Sequence, residues 1–317
     1  MATPVNAVAT FTINGKREDL TDAIYNIDPY DTPFMTEIGK ASAKAITHQW
    51  QTDALRAPGV NAVVEGNDAV INAATPTVLL ENICQIATET LQVTGTTEAV
   101  DKAGRKSEMA YLLAKKSKEI KIDMEYGLIG VPQAKVQRTS AVAGKLGNIF
   151  AYYKTNGSLG AGGVAPVGNG TDVGTAGTLR TLTEDMLMTA SENIWKQGGK
   201  ANKIMTSSTL KKAISKTFKG RATQINLDSS DNKVSQAVDV YETDFGTYTI
   251  SANRWFKNDA IFMYDPKMHA LCFLRPFTQF PLAKTGDSEK RQMLVEYTLR
   301  VNNEESGALI RDVQAPA

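Results

Sequence analysis

The strongest periodic signal in the chain lies in residues 107–129, SEMAYLLAKKSKEIKIDMEYGLI. Ala110, Leu113, Ser117, Ile120, Met124 and Leu128 recur at steps of three and four, which places them on one face of an α-helix. Ser107 is positioned to cap its start, and Gly130 followed by Val131 and Pro132 to stop it. At 1.5 Å per residue such a helix is roughly 35 Å long, the width of a small domain. The remaining face carries Lys115, Lys116, Lys118, Glu119, Lys121, Asp123 and Glu125, a mixed-charge pattern that reads as a solvated face before it reads as a DNA contact.

Upstream the period changes to two. In residues 45–55 Ile46, His48, Trp50 and Thr52 alternate with polar positions, and residues 77–96 form a second run rich in strand formers. The connection between them, 56–76, is small and loop-like, and much longer than compact domains favour. A lone two-stranded ribbon is marginal in water, so this one is expected to rest on another subunit. Residues 1–20 hold too few large apolar groups for a core and read as an arm ordered only against something else. Leu20, Ala23, Ile24 and Ile27 could share a helical stripe capped by Thr21 or Asp19, with Pro29 and Pro33 ending it and holding the chain extended.

Residues 139–178 are too rich in glycine to sustain regular structure for long, yet Phe150, Tyr152 and Tyr153 imply that the segment docks on a surface. A second unit begins near Leu182: a helix capped by Thr183, with Met186, Leu187, Ala190, Ile194 and Trp195 as its stripe and Gly198-Gly199 as its end. The strand NKIMTS, the helix STLKKAISKTF and a run of strands follow; in the last of these Met293, Val295, Tyr297, Leu299 and Val301 share a face. Short helices followed by antiparallel-looking strands indicate an α+β fold.

Charge adds a constraint. With 35 basic and 34 acidic side chains the net charge is +1, which argues against a dedicated nucleic-acid binder but not against weak contact with DNA. The two cysteines, Cys84 and Cys272, sit among apolar neighbours and read as small buried hydrophobes in a reducing compartment; nothing in the sequence supports a disulfide between them. No secretory start and no membrane-length apolar run occur, so a soluble protein made in the cytoplasm is expected.

Candidate chemistry is sparse. His48 and His269 have no second ligand at metal spacing. Ser208-Thr-Leu-Lys211 matches a serine–lysine pattern but lies where a helix-capping serine is ordinary, and no nucleophile elbow is present. Gly160-Ala-Gly-Gly163 lacks the Gly-Lys-Ser/Thr of a phosphate loop. Asn169-Gly170-Thr171 is a formal glycosylation sequon without a secretory context. Asp28 and Asp31 around Pro29-Tyr30 read as turn formers. No residue is singled out as catalytic, cofactor-binding or metal-ligating, and no cofactor is expected.

The order of parts, together with DPYDTPFMTEIGK, TGTTEAVDKAGRKSEMAYLLAKKSKEIKIDMEYGLIG and YDPKMHALCFLRPF, resembles the major capsid proteins of tailed bacteriophages with the HK97-like fold, and within them the SU10-like capsid subfamily. The resemblance implies an N-terminal arm (1–40), an extended E-loop (41–96), a P-domain with spine helix 107–129 and the glycine-rich loop (97–178), an A-domain (179–265) and strands returning to the P-domain (266–317). It further implies hexamers and pentamers of one chain forming an icosahedral shell around double-stranded DNA held by weak contacts. Separate scaffold, portal or decoration proteins are its implied partners, the virion its destination, and neither membrane nor enzymatic activity is expected. An encapsulin-like compartment shell of the same fold, or a soluble hydrolase without local motifs, are the alternatives.

Overall fold

The computed structural model describes residues 29–68, 71, 74–218 and 239–316, so the helical stripe expected at Leu20–Ile27, and Asp28, lie outside the described residues. In chain order the elements are α1 (Pro33–Glu37), β1 (Gly39–Ser42), β2 (Thr47–Thr52), β3 (Val78–Ile83), β4 (Gln85–Thr94), α2 (Gly95–Ala99), α3 (Glu108–Ile129) and α4 (Ile149–Tyr152). They continue with β5 (Arg180–Thr181), α5 (Glu184–Lys196), β6 (Lys203–Thr206), α6 (Ser208–Phe218), β7 (Val240–Thr243), β8 (Gly246–Ala252) and β9 (Ile261–Tyr264). β10 (His269–Pro281), β11 (Ser288–Val301), β12 (Ala308–Ile310) and β13 (Val313–Gln314) complete the order.

The long helix forms where its period and caps predict. Ser107 Oγ accepts a hydrogen bond from Ala110 N at 3.2 Å, and Ile120, Met124 and Leu128 are buried. The stripe is displaced at its first turn, where Met109 is buried and Ala110 exposed. Gly130 ends the helix in right-handed geometry; it is glycine because a Cβ there would overlap the Tyr126 ring and the Trp255 carbonyl. α3 lies on a sheet of order β1-β10-β11-β4, sharing one core with Leu91, Val93, Met293, Val295, Tyr297 and Leu299. The expected alternation of 293–301 is thus the inner face of β11.

A second sheet, β12-β9-β6-β8-β7, is antiparallel except for the β6–β8 pair, and is packed by Leu187, Ala190 and Ile194 of α5 and Leu210, Ala213 and Ile214 of α6. Two sequence expectations fail at helix starts. Thr183 occupies the N-cap of α5 without a side-chain bond, and the cap of α6 is Ser207, whose Oγ accepts from Leu210 N at 3.4 Å. The end of α5 is as expected: Gly198 takes φ +81 and Gly199 N bonds Ile194 O.

Pro33 does not hold the chain extended. It opens α1 at the first helical position, where a proline's missing N–H costs nothing. The reason the turn forms here is Glu125. This carboxylate, expected on the solvated face of α3, is fully buried and accepts from Phe34 N (2.7 Å), Met35 N (2.9 Å) and Asn253 Nδ2 (2.7 Å). One side chain therefore joins α1, α3 and the loop after β8. Burial pushes its carboxyl above the usual range, against the pull of those three hydrogen bonds. Beside it Phe34 is buried among Phe262, Tyr264 and His269.

Candidate assembly surface

The strand run expected at 77–96 breaks at Cys84 into two strands with different partners. β3 pairs with β2 from Thr47↔Ile83 to Thr52↔Val78, whereas β4 pairs with β11 under α3. The pair β2–β3 is a ribbon in two regimes. Its root is fastened to the body: Asn82 is 0% exposed, donates from Nδ2 to Gly147 O (2.8 Å) and Leu299 O (2.7 Å), and accepts from Gly147 N (2.7 Å) and Ile83 N (2.9 Å). Tyr152 Oη donates to Glu81 O, the Lys135 ammonium lies 3.1 Å from Glu81 Oε1, and the Trp50 ring packs on Tyr152.

Beyond that root the described residues lie in solvent. Every described residue from 53 to 79 is exposed. Leu55 and Val60 are 100% exposed and Ile71 is 95% exposed, with Val63, Val64, Val78 and Leu79 also solvent-facing. Folded monomers expose single apolar side chains routinely, but seven large ones within 25 consecutive positions (55–79) mark a contact surface. Each is worth roughly 2 kcal/mol once removed from water.

A second patch lies on the far unit. Trp195 at the end of α5 is 60% exposed and stacks at 5.7 Å on Phe245 from the β7–β8 turn, with Met188 exposed two turns earlier on the same face. A third is the outer part of β10, where Phe277 and Phe280 are exposed past the last β1 pairing at Phe273.

The candidate chemistry is taken up internally. Asp312, in the left-handed region at φ 58, accepts from Gly160 N (3.1 Å) and Gly177 N (2.8 Å) through one carboxylate oxygen. The amides that a phosphate would need are thus held by a side chain 152 residues away in sequence. Arg311 Nη1 donates to Val173 O and its guanidinium lies over Phe150, so the glycine-rich segment is pinned; Phe150, Tyr152 and Tyr153 are all buried. The Lys211 ammonium donates to Asp239 Oδ1 (2.8 Å) and Ile250 O (2.7 Å). Asn169 Oδ1 accepts from Thr171 N and Oγ1, closing a turn.

His269 is buried; Nδ1–H donates to the acceptor-only Asp265 O (2.9 Å), which leaves Nε2 to accept from Tyr153 Oη (2.7 Å). Burial lowers its pKa to about 4. His48 Nε2 lies 3.5 Å from Cys272 Sγ, and Cys84 and Cys272 share one small apolar cluster. Both thiols are free, and burial pushes Cys84 up to about 11. Among the described residues no group of three or more His, Cys, Asp or Glu could hold a metal ion, and no helix is long and apolar enough to cross a membrane. On α3, Lys116 pairs with Glu89 (3.3 Å) and Glu119 (2.7 Å), and Lys118 lies over the Tyr30 ring at 4.5 Å; Lys115 and Lys121 are exposed.

Three comparisons bear on this geometry. The family described as SU10 major capsid protein matches residues 4–314. A protein named major capsid protein from Escherichia phage Phieco32 is 28% identical, with 96% of each chain covered. Among solved structures, the capsid asymmetric unit of cyanophage A-1(L) superposes with a TM-score of 0.66 at 14% identity, covering 96% of this chain and 98% of that one. The holo-SrpI encapsulin complex of Synechococcus elongatus gives a TM-score of 0.59 at 8% identity over 96% and 94% of the two chains.

Proposed function

The chain belongs to the SU10 major capsid protein family, and on that premise we propose how it builds a shell: each copy leaves apolar surface uncovered, and neighbouring copies cover it. It is a structural subunit of HK97-like fold that assembles into the hexamers and pentamers of an icosahedral phage capsid. The observation that carries the mechanism is the exposed stretch 53–79 at the end of a firmly rooted ribbon. Heterologous contacts of this kind, each modest, close into rings when repeated by symmetry.

Within this reading residues 1–40 act as the arm, 41–96 as the E-loop with β4 returning beneath α3, 97–178 as the P-domain, 179–265 as the A-domain and 266–317 as the returning strands. The Trp195–Phe245 patch then faces the capsomer interior, and the distal β10–β11 hairpin faces the contacts between capsomers. The shell encloses double-stranded DNA through weak contacts, consistent with the net charge of +1. Separate scaffold, portal or decoration proteins are its candidate partners in this reading; assembly takes place in the bacterial cytoplasm and the product is the virion. We read the subunit as structural and not catalytic, a reading supported by its family; the Gly160 amide is taken by Asp312 and the Lys211 ammonium by Ile250 O.

Sedimentation velocity and negative-stain microscopy of the purified protein test this. Capsomers or closed shells are expected, and a persistent monomer at high concentration contradicts it. The encapsulin likeness makes particle contents informative: DNA supports the capsid reading, and a protein cargo supports a compartment shell. Turnover of simple esters or phosphate esters would restore the hydrolase alternative.

A further inference from the structure

Along β11 the side chains alternate. Met293, Val295, Tyr297 and Leu299 face the core under α3, so Glu296, Thr298 and Arg300 face the other way. On that outer face Cys272 of β10 stands opposite Thr298, and Ala270 opposite Arg300. The ribbon root covers the same place. His48 Nε2 of β2 lies 3.5 Å from Cys272 Sγ, and the His48 and Trp50 rings, on one face of β2, are 6.0 Å apart. Burial, and then the positive charge of Arg300, lowers the His48 pKa; burial raises that of the Cys272 thiol, with Arg300 opposing it. Five side chains from three strands thus meet between the ribbon and the sheet.

Three of the five carry buried polar atoms that find no hydrogen-bond partner: Trp50 Nε1, Thr298 Oγ1 and Arg300 Nε. Thr298 is 0% exposed and Trp50 9%. Buried polar atoms are nearly always paired, so unpaired ones gathered in one place point to a bound water or ion. Each of the three can donate one hydrogen, and Arg300 adds a full positive charge. Glu296, the carboxylate on the same face, does not neutralise that charge, because Arg138 Nη2 (2.6 Å) and Arg275 Nε (2.8 Å) hold its two oxygens. Arg300 enters no ion pair among the described residues.

We propose that Trp50, Thr298 and Arg300 hold one small inorganic anion of the chloride type at the ribbon root. Donors that each offer a single hydrogen suit one spherical acceptor. A phosphate or carboxylate calls for paired donors on separate oxygens, the fork that arginine uses in bidentate pairs. A water brings two hydrogens of its own, for which a set of donors has little use, and leaves the charge of Arg300 uncompensated. The Arg300 side chain is only half-buried, so its outer end gives a small ion a route from solvent. Bound there, the anion ties β2 to β11 as Asn82 ties β3 to Gly147 O and Leu299 O, a second fastener that responds to the surrounding salt. The site lies within one chain and stands or falls apart from the shell reading.

Urea unfolding of dissociated full-length subunits, in sodium chloride against sodium gluconate at equal ionic strength, tests this. An anion bound only by the folded chain raises the folding constant in proportion to its concentration above the dissociation constant, so tenfold more chloride there should raise it about tenfold. Thr298→Val keeps the shape and removes the hydroxyl, and Arg300→Lys keeps the charge and removes Nε; each should flatten that response at least about threefold. Arg254→Gln, at an exposed arginine, should keep it. No chloride-specific rise in wild type, or the full rise in both variants, overturns the proposal. Crystals of wild-type subunits soaked in bromide locate the ion even if the variants fail to fold. An anomalous peak between Thr298 Oγ1 and Arg300 Nε is expected; a water only at that place, or bromide only elsewhere, overturns the proposal.

Discussion

Asn82→Ala is the perturbation that separates a rooted ribbon from a loosely tethered one. The substitution strips partners from Gly147 N–H, Gly147 C=O and Leu299 C=O, all remote in sequence and all met by a side chain with 0% exposure. A buried polar group left unsatisfied costs about 1–3 kcal/mol. Leu299 lies opposite Leu271 at a position where the β10–β11 ladder makes no hydrogen bond, so its carbonyl depends on Asn82 as Gly147 does, and the expected total is at least about 3 kcal/mol. That is a large share of the roughly 5–15 kcal/mol that holds a domain folded. Urea unfolding of dissociated subunits, followed by tryptophan fluorescence, reads the loss as a lower midpoint at unchanged slope. The control is Glu81→Gln at the same root, which breaks a partly exposed pair with Lys135 and should cost no more than about 0.5 kcal/mol. A loss below about 1 kcal/mol for Asn82→Ala, or equal losses for the two variants, refutes the reasoning.

Further outcomes follow from the same geometry. His269 is held neutral, its pKa lowered to about 4 from an unfolded value of 6.5, so the unfolded chain takes up the proton first. The stability it contributes is complete above pH 6.5 and drains away as pH falls to about 4. The amount is about 3 kcal/mol at 1.36 kcal/mol per unit; acid titrations of unfolding free energy should show the slope in wild type and lose it in His269→Leu. Gly160→Ala should cost about 3 kcal/mol because its Cβ would overlap the Thr178 carbonyl, whereas Gly162→Ala, at φ +77 with open space around it, should cost only about 1 kcal/mol. Thermal unfolding of the two variants orders them. Val63→Ser combined with Val64→Ser should leave the subunit's midpoint unchanged, because both side chains are already in water, while raising the concentration needed for assembly by tenfold or more; light scattering measures it.

How far the sequence foretold this structure depends on the range of the interactions involved. The spine helix was legible because its period, its Ser107 cap and its apolar faces are all local, and even there the first turn rotated to bury Met109 in place of Ala110. Glu125 was not legible. A carboxylate beside Met124 looks like part of the polar face until Phe34 and Met35, some 90 residues earlier, turn their amides toward it. The same separation hid the role of Pro33, whose helical turn exists because Glu125 receives its first amides. The break at Cys84 leaves no local mark, since QIATETLQVT and VLLENI are equally good strands; only their partners, β11 and β2, distinguish them. For the glycine-rich segment, composition denied long regular structure, and no element longer than the four-residue α4 forms there, while its staple, Asp312, lies beyond any local reading. The exposed ribbon was the most readable feature of the candidate surface, because a long, coreless insertion between two strands announces that its cover lies elsewhere.

Electron cryomicroscopy of the expressed protein tests the central claim most directly. Closed icosahedral particles are predicted, with residues 53–79 of every subunit seated on a neighbouring copy and Leu55, Val60 and Ile71 buried there. Density in which that stretch folds back onto its own subunit, or in which it stays in solvent throughout an assembled shell, would contradict the account.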